Sequence, residues 1–177
     1  AKEKRLPFHD QDAKSILRAT RKTSGYKRWM PWLTAYTGAR LEEIAGAMAS
    51  DVKRIDGIWC IRVSEESRAL DGATLKNEGS ERNVPLHPAV IAEGFLKYAS
   101  KLPEDGPLFP DAKPDRDGRR SGTATKQIGR WMREKVGISD PRKAPSHSWR
   151  HYFKTICRRA GLPEEIHDAL TGHANGS

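Results

Sequence analysis

Hydrophobic residues recur every three or four positions over most of the chain, which is the period of amphipathic helices. Near the amino terminus this spacing predicts helices around residues 13–17, 29–36 and 41–48. Gly38 is expected to end the second helix, because glycine accepts the left-handed conformation that follows many helices. Pro31 fits the first turn of that helix, where no backbone N–H is needed. The chain is therefore predicted to begin with three helices.

The hydrophobic spacing then changes to the short apolar runs that are typical of strands. Residues 52–55 and 58–61 flank Asp56 and Gly57, a pair that supplies the positive φ angles of a type I′ turn. These two runs predict a β-hairpin. Residues 82–86 predict a third short strand, so the sequence indicates one small sheet inserted among helices.

Helical spacing returns in the second half of the chain. Four further helices are predicted, over residues 88–99, about 123–132, 147–160 and 163–170. Ser146 is expected to cap the third of them. Residues 101–122 are rich in Pro, Gly and Asp, which predicts a mobile loop. The predicted fold class is α+β, mainly helical with a small three-stranded antiparallel sheet, in one domain over residues 1–177.

Composition adds a strong basic balance to this picture. The 177 residues include 32 Lys and Arg against 23 Asp and Glu, for a formal net charge of +9. The excess is concentrated in residues 1–28 and 141–163, which favours a polyanion such as DNA as the partner. No apolar run is long enough to span a membrane. Cys60 and Cys157 lack the spacing of a metal site, which fits a reducing cytoplasm.

Three short motifs carry residues that suit phosphate chemistry. Arg40 follows a predicted helix stop and Glu43 lies one helical turn later. His147 and Arg150 are three positions apart and share a helix face, and His173 follows the last helix. Guanidinium and imidazole groups together suit a transition state in which charge spreads over phosphoryl oxygens. Each motif alone is also compatible with an ordinary basic surface, and for the Arg40–Glu43 motif by itself an ordinary surface ion pair is the favoured interpretation.

The same helix carries residues that suit two other chemistries. His147 and His151 form a pair that could bind a metal, but Arg150 would place a cation beside that metal, so no metal site is predicted. A hydrolase built on Ser146 or Ser148 is disfavoured, because the Gly-x-Ser-x-Gly elbow is absent and adjacent helical residues do not face each other.

The order of the motifs resembles that of the tyrosine recombinases, the phage-integrase family. The resemblance extends from about Leu6 to His173, and it is most specific from His147 onward, in the pattern His-x-x-Arg-His followed by Gly-His. The sequence around Arg40 matches the family pattern Thr-Gly-x-Arg. Lys76, which precedes the third predicted strand, matches the lysine of the family's β2–β3 hairpin. The residues that carry over are Arg40, Glu43, Lys76, His147, Arg150 and His173.

The resemblance implies a mechanism without metal, ATP or cofactor. A tyrosine would attack the scissile phosphate, form a 3′-phosphotyrosyl link and release a 5′-hydroxyl. Arg40 and Arg150 would hold the non-bridging oxygens, and Lys76 would protonate the leaving oxygen as a general acid. His147 and His173 would assist proton transfer. Glu43 would act indirectly, by orienting Arg40 or a histidine.

The sequence departs from the family pattern at the nucleophile. No tyrosine follows His173, and Tyr152 lies about 200° around the helix from Arg150, so it is expected to belong to the core. The expectation is therefore a catalytic domain that is cut before its tyrosine and is inactive and monomeric by itself. The amino-terminal core-binding domain of the family is expected to be absent ahead of Leu6. The full-length protein would form a tetramer on paired sites.

The expected partner is double-stranded DNA, in the cytoplasm of a bacterial host. Arg119 and Arg120 are expected to touch the DNA backbone. His9, His87 and His167 are expected to be surface or capping residues. Two alternatives remain open at this point, namely a non-catalytic DNA-binding module with the same fold and a type IB topoisomerase that shares the chemistry.

Overall fold

The computed structural model of the protein describes residues 2–64 and 81–173. These residues form eight α-helices and one sheet. The helices are α1 (Asp10–Thr20), α2 (Gly25–Thr37), α3 (Leu41–Ala45), α4 (Pro88–Ala92), α5 (Phe95–Ser100), α6 (Arg120–Trp131), α7 (Ser148–Arg159) and α8 (Glu164–Thr171). A π-helical turn continues α6. In the described ranges no helix has both the length and the apolar character that a membrane crossing requires.

The sheet has three antiparallel strands in the order β1-β2-β3. The strands are β1 (Val52–Ile55), β2 (Ile58–Val63) and β3 (Arg82–Pro85). Asp56 and Gly57 have φ angles of 49° and 79°, so the predicted hairpin turn is confirmed. Val84 of β3 pairs with Ile61 of β2, and both side chains are buried. The mainly helical α+β class with one small antiparallel sheet is confirmed.

Two predicted helices have different boundaries in the structure. Helix α2 begins at Gly25, so Pro31 lies in its interior rather than in its first turn. The extra turn is held by a distant residue, because the backbone N–H of Tyr26 bonds to Asp111 Oδ2 at 3.3 Å. The predicted helix over residues 88–99 is divided into α4 and α5 at Gly94, which has a φ of 99°.

The start of α7 also differs from the prediction. His147, not Ser146, occupies the N-cap position. The Ser148 hydroxyl is fully buried, donates to the Leu6 carbonyl at 2.5 Å and accepts the Ala144 N–H at 2.9 Å. Ser148 therefore fixes the turn before α7, and its hydroxyl is not available as the nucleophile of a hydrolase.

The hydrophobic core lies between α1, α2, α3, α6 and α7, with α2 packed against the other four. Ile16, Leu33 and Ile44 are fully buried there, and Trp149 is 1% exposed. Burial of large side chains of this kind supplies about 1.5–3 kcal/mol each. Since α2 packs along α3 and α7, the carboxyl end of α2 is fixed beside the amino ends of both helices.

Candidate active site

Residues of helices α3 and α7, and of the segments next to α3, α7 and α8, surround a cavity of about 270 Å³. Its lining consists mainly of ionisable side chains, namely Arg40, Glu42, Ser146, His147, Arg150, His151, Lys154 and His173. Four of the residues singled out in the sequence are thus brought together, although they come from distant parts of the chain. Lys76 lies outside the described residues. A larger cavity of about 690 Å³ is lined mainly by apolar side chains, so the smaller one is the candidate site for a charged ligand.

Gly38 fixes the entry of Arg40 into the site. It ends α2 with a φ of 69°, and Arg40 then occupies the N-cap position of α3. A Cβ at Gly38 would lie 2.3 Å from a ring carbon of Phe153, so the position needs glycine for its conformation and for space. The Gly38 carbonyl also accepts a hydrogen bond from Arg150 Nη1 at 3.1 Å, which joins the two arginine-bearing segments.

Arg150 is the central cation of the cavity and is only 8% exposed. Its Nη1 donates to the carbonyls of Gly38 and Thr171, at 3.1 and 2.7 Å. Its Nη2 is buried and has no hydrogen-bond partner among the described residues. Burial, followed by the positive charge of Arg40, lowers the pKa of Arg150 to about 10, so the guanidinium stays charged at neutral pH. A buried guanidinium with an unused donor favours an anionic ligand.

Glu43 is a fully buried carboxylate behind the cavity. Its oxygens lie 2.9 and 3.2 Å from the two terminal nitrogens of Arg82. Glu43 Oε2 also accepts the backbone N–H of Arg40 at 2.9 Å, and Oε1 lies 3.7 Å from Arg40 Nη1. Burial by itself would raise the pKa of Glu43, but the bonds and charge of Arg82 outweigh it and hold the pKa below its usual value.

Arg82 was not singled out in the sequence, where it served only as the start of a strand. Its Nε donates to the Leu170 carbonyl at 2.7 Å, so this side chain joins β3 to α8 as well as to Glu43 on α3. Strand alternation places Arg82 on the same face as the buried Val84. An arginine on the inward face of a strand is unusual, and this pattern could have identified Arg82 from the sequence.

His173 follows α8, which ends at Gly172 with a φ of 69°. Its Nδ1 lies 3.0 Å from Thr171 Oγ1 and 3.1 Å from Lys154 Nζ. Burial, then the charges of Arg150 and Lys154, lower the pKa of His173 to about 4. His173 is therefore a neutral imidazole at neutral pH, able to donate one hydrogen bond.

Lys154 is a second residue that the sequence analysis missed. It is 9% exposed, and its ammonium bonds to Asp168 Oδ1 and lies 3.7 Å from Glu164 Oε1. Lys154 lies four residues after Arg150, which places both on one face of α7. That spacing could have drawn attention to Lys154, but its contacts with α8 could not be predicted.

The three histidines predicted to be surface or capping residues can be compared with expectation. His9 is exposed and occupies the N-cap position of α1, as predicted. His87 caps α4 as predicted, because its Nδ1 accepts the Ala89 N–H at 3.0 Å. The prediction for His167 is wrong, since it is fully buried on the face of α8 that also buries Thr171. Its Nε2 lies 2.9 Å from Glu164 Oε2, within ion-pair distance but without the geometry of a hydrogen bond.

Glu164, His167 and Asp168 place potential metal-binding atoms within 4.8 Å of one another. The ammonium of Lys154 already contacts the carboxylates of Glu164 and Asp168, so a cation is present beside this group. The cluster therefore serves as the counter-charge of Lys154.

Tyr152 lies on α7 away from the cavity. Its hydroxyl donates to Asp10 Oδ1 at 3.0 Å, and its ring packs edge-on against Trp149. Burial and the bond to Asp10 raise the pKa of Tyr152 to about 12. A hydroxyl with a raised pKa is a poor nucleophile, so the structure agrees with the placement of Tyr152 against the core.

Arg119 and Arg120 lie at the start of α6, outside the cavity. Arg119 is exposed. Arg120 Nη1 donates to the Ala112 carbonyl at 3.0 Å, so this side chain braces the preceding loop. Of the two, Arg119 is the freer to reach a ligand.

The model of the phage integrase family matches residues 7–177 of the chain. Among solved structures, that of XerA recombinase has a TM-score of 0.71 at 21% identity, covering 99% of this chain and 57% of that chain. XerH site-specific recombinase bound to difH substrate has a TM-score of 0.67 at 18% identity, covering 97% of this chain and 48% of that chain. The structure of a lambda integrase tetramer bound to a Holliday junction has a TM-score of 0.66 at 19% identity, covering 99% of this chain and 48% of that chain.

The chain spans between 48% and 57% of the length of these three structures. At such identities the structural similarity establishes the fold. A search of curated proteins found no match.

Proposed function

The chain belongs to the phage integrase family, and from this premise we propose that it is the catalytic domain of a site-specific DNA recombinase. The observation that carries the proposal is the buried, unpaired Nη2 of Arg150 beside Arg40, in a cavity that His173 also lines. The cavity is strongly cationic, which suits a phosphodiester. The full reaction belongs to the parent protein, since this chain spans only part of the length of its solved relatives.

In the proposed reaction a tyrosine oxygen bonds to the scissile phosphorus and the bond to the 5′-oxygen breaks. The tyrosine loses a proton and the leaving oxygen gains one, so a 3′-phosphotyrosyl link and a free 5′-hydroxyl result. The 5′-hydroxyl of a second strand then reverses the step. Because the number of phosphoester bonds is conserved, the exchange needs no ATP, cofactor or metal.

Arg40 and Arg150 stabilise the charge that develops on the non-bridging oxygens during this step. Both are guanidinium groups, which offer paired donors to phosphoryl oxygens. They are oriented before the ligand binds, Arg150 by two carbonyls and Arg40 by Glu43. Preorganised donors of this kind contribute the largest share of stabilisation in many transition states.

Proton transfer is assigned to three further residues. We propose Lys76 as the general acid for the 5′-oxygen, with His147 assisting at the mouth of the cavity. His173 is neutral at neutral pH because of its low pKa, so its proposed role is to donate a hydrogen bond to the phosphate. Glu43 acts indirectly, through its bonds to Arg40 and to Arg82.

The nucleophile is proposed to be a tyrosine other than the four in this chain. Tyr152 and Tyr98 have raised pKa values, chiefly through burial, and their hydroxyls bond to Asp10 and to the Leu108 carbonyl. Neither they nor the remaining two tyrosines line the cavity. We therefore expect this chain alone to bind DNA without cleaving it.

A basic groove beside the cavity is the proposed path of the DNA backbone. It has a volume of about 490 Å³ and its ionisable lining is Lys2, Glu3, Arg5, Arg142 and His147, of which His147 is shared with the catalytic cavity. Three cationic side chains against one carboxylate make this groove basic, which favours a phosphate backbone. Arg119 and Arg120, at the start of α6, remain proposed backbone contacts.

The proposed partner is double-stranded DNA in a bacterial cytoplasm. We propose that the parent protein forms a tetramer on paired sites and that this chain by itself is a monomer. The similarity to a lambda integrase tetramer on a Holliday junction supports the first statement.

The reaction can be tested without knowledge of the target sequence. The parent gene is expressed in its source strain, and the genomic DNA is sequenced for new junctions. We expect reciprocal junctions at defined sites, and their loss in Arg150→Ala. Abundant protein without new junctions would contradict the proposal and favour a non-catalytic DNA-binding module. Relaxation of a supercoiled plasmid without junctions would favour a type IB topoisomerase.

A further inference from the structure

We propose that Lys154 is a positioning residue that fixes the tautomer of His173, so that the imidazole keeps its proton on Nε2 and uses it as a donor in the cavity. This inference rests on the proposed function, because it assigns that donor to the phosphate. Lys154 has no part of its own in the proposed cleavage and rejoining reaction.

The ammonium of Lys154 is committed to protein contacts. It bonds to Asp168 Oδ1, lies 3.1 Å from His173 Nδ1 and is 3.7 Å from Glu164 Oε1. Its side chain is 11% exposed. These contacts leave Lys154 little freedom to bind DNA directly, although it lines the cavity.

The contact with Nδ1 determines where the imidazole proton lies. An ammonium group has donors and no acceptor, so it can bond only to a ring nitrogen that carries a lone pair. A proton on Nδ1 could be accepted by Thr171 Oγ1 at 3.0 Å, but it would point at a positive charge 3.1 Å away. The Thr171 hydroxyl already donates to the His167 carbonyl at 2.8 Å. The neutral ring of His173 therefore carries its proton on Nε2.

The charges that face His173 explain why Lys154 is needed. Arg150 and Lys154 face it from α7, Arg40 from the start of α3 and Asp168 from α8. Asp168 Oδ1 lies 3.8 Å from Nδ1, and the ammonium of Lys154 contacts both the carboxylate and the ring nitrogen. Without the lysine, Asp168 would attract a proton to Nδ1 and stabilise an imidazolium.

The two states of His173 differ in what they offer the phosphate. The pKa of His173 is about 4, so its ring is neutral from mildly acidic pH upward, and with Nδ1 held as an acceptor the neutral ring carries its proton on Nε2. A histidine whose Nδ1–H is paired with Asp168 would be an imidazolium at lower pH and would lose the Nε2–H on deprotonation, because the remaining proton would stay on Nδ1. Lys154 thus makes the donor independent of pH across the physiological range.

The test uses this chain labelled with ¹⁵N-histidine and long-range ¹H–¹⁵N NMR, which separates the two neutral tautomers and the imidazolium. We expect wild-type His173 to be neutral with an unprotonated Nδ1 at neutral pH. In Lys154→Met, which keeps the aliphatic stem, we expect the proton to move to Nδ1 and the pKa of His173 to rise by about one unit or more.

Lys143→Met is the matched control. The side chain of Lys143 is 11% exposed, and its ammonium lies 2.6 Å from Asp12 Oδ2. The variant therefore loses a comparable ion pair that lies away from the cavity. We expect it to leave the His173 signals unchanged. An Nδ1–H tautomer in the wild type, or unchanged His173 signals in Lys154→Met, would overturn the proposal.

Two further variants keep the test decisive if Lys154→Met does not fold. Lys154→Arg retains a cationic donor and should retain the Nε2–H tautomer. Asp168→Asn removes the competing carboxylate, so the pKa of His173 should fall further rather than rise. Changes in the opposite direction would contradict the proposal. Because these readouts need neither DNA nor cleavage, a failure of the junction assay would count against the proposed function alone.

Discussion

Glu43 and Arg82 form a buried, two-pronged ion pair, with nitrogen–oxygen distances of 2.9 and 3.2 Å. The same arginine donates to the Leu170 carbonyl, and the same carboxylate accepts the backbone N–H of Arg40. The pair therefore connects the sheet with the segments that carry both Arg40 and His173. The cationic cavity depends on this connection, because it fixes the relative positions of residues that are far apart in the sequence.

Glu43→Gln should lower the free energy of unfolding by about 3 kcal/mol, because it leaves Arg82 buried beside a neutral amide. Equilibrium urea unfolding measures this change. Glu134→Gln is the control, since Glu134 forms an exposed pair with Arg130 and its substitution should leave the free energy of unfolding almost unchanged. Equal effects of the two substitutions would contradict the structural role of the buried pair.

Acid should weaken the wild type more than Glu43→Gln. The pKa of Glu43 is lowered in the folded state, so its contribution is present above the unfolded pKa of about 4.3 and is lost as pH falls through the folded pKa. Stability measured from about pH 6 downward should therefore converge for the two proteins at acidic pH. A stability difference that stays constant over this range would contradict the lowered pKa.

Gly38→Ala should be more destabilising than Gly161→Ala. Both glycines have positive φ, 69° and 74°, so both substitutions incur the left-handed cost of about 1–2 kcal/mol. A Cβ at Gly161 meets no atom within 4 Å, whereas one at Gly38 would collide with Phe153. The difference in melting temperature between the two variants measures the effect of the collision with Phe153. Equal losses would show that the Phe153 contact does not restrict position 38.

Arg150→Lys should reduce junction formation by the parent protein by roughly 10²–10³, because lysine keeps the charge but cannot present paired donors. The frequency of new junctions measures this effect. Arg130→Lys, on the exposed face of α6, should leave the frequency unchanged. Near wild-type activity in Arg150→Lys would argue against the guanidinium as the phosphate clamp.

Local signals made much of the fold predictable. The Asp56-Gly57 turn and the helix stop at Gly38 are properties of a few adjacent residues, and both were predicted correctly. Helix boundaries that depend on distant partners were not, as with the extra turn of α2 that Asp111 holds. The interruption at Gly94 between α4 and α5 was likewise missed.

The residues of the candidate site also include some that local motifs predict and some that depend on distant partners. Arg40, His147, Arg150 and His173 stood out because they lie in short motifs, and the structure brings them to one cavity. Arg82 and Lys154 did not, because their importance comes from ion pairs with residues of other elements. Such pairs depend on the packing of α3, α7 and α8 around the cavity, which no local pattern encodes.

The most direct test of the phosphate site is the salt dependence of duplex DNA binding by this chain. Fluorescence anisotropy with a short duplex of arbitrary sequence measures the affinity over a salt series for wild type, Arg150→Ala and Arg130→Ala. We expect Arg150→Ala to bind more weakly and to lower the magnitude of the salt slope by about one, as for the loss of one phosphate contact, while Arg130→Ala matches the wild type. An Arg150→Ala protein that is folded by circular dichroism and has the wild-type affinity and slope would contradict the central claim that Arg150 binds a DNA phosphate.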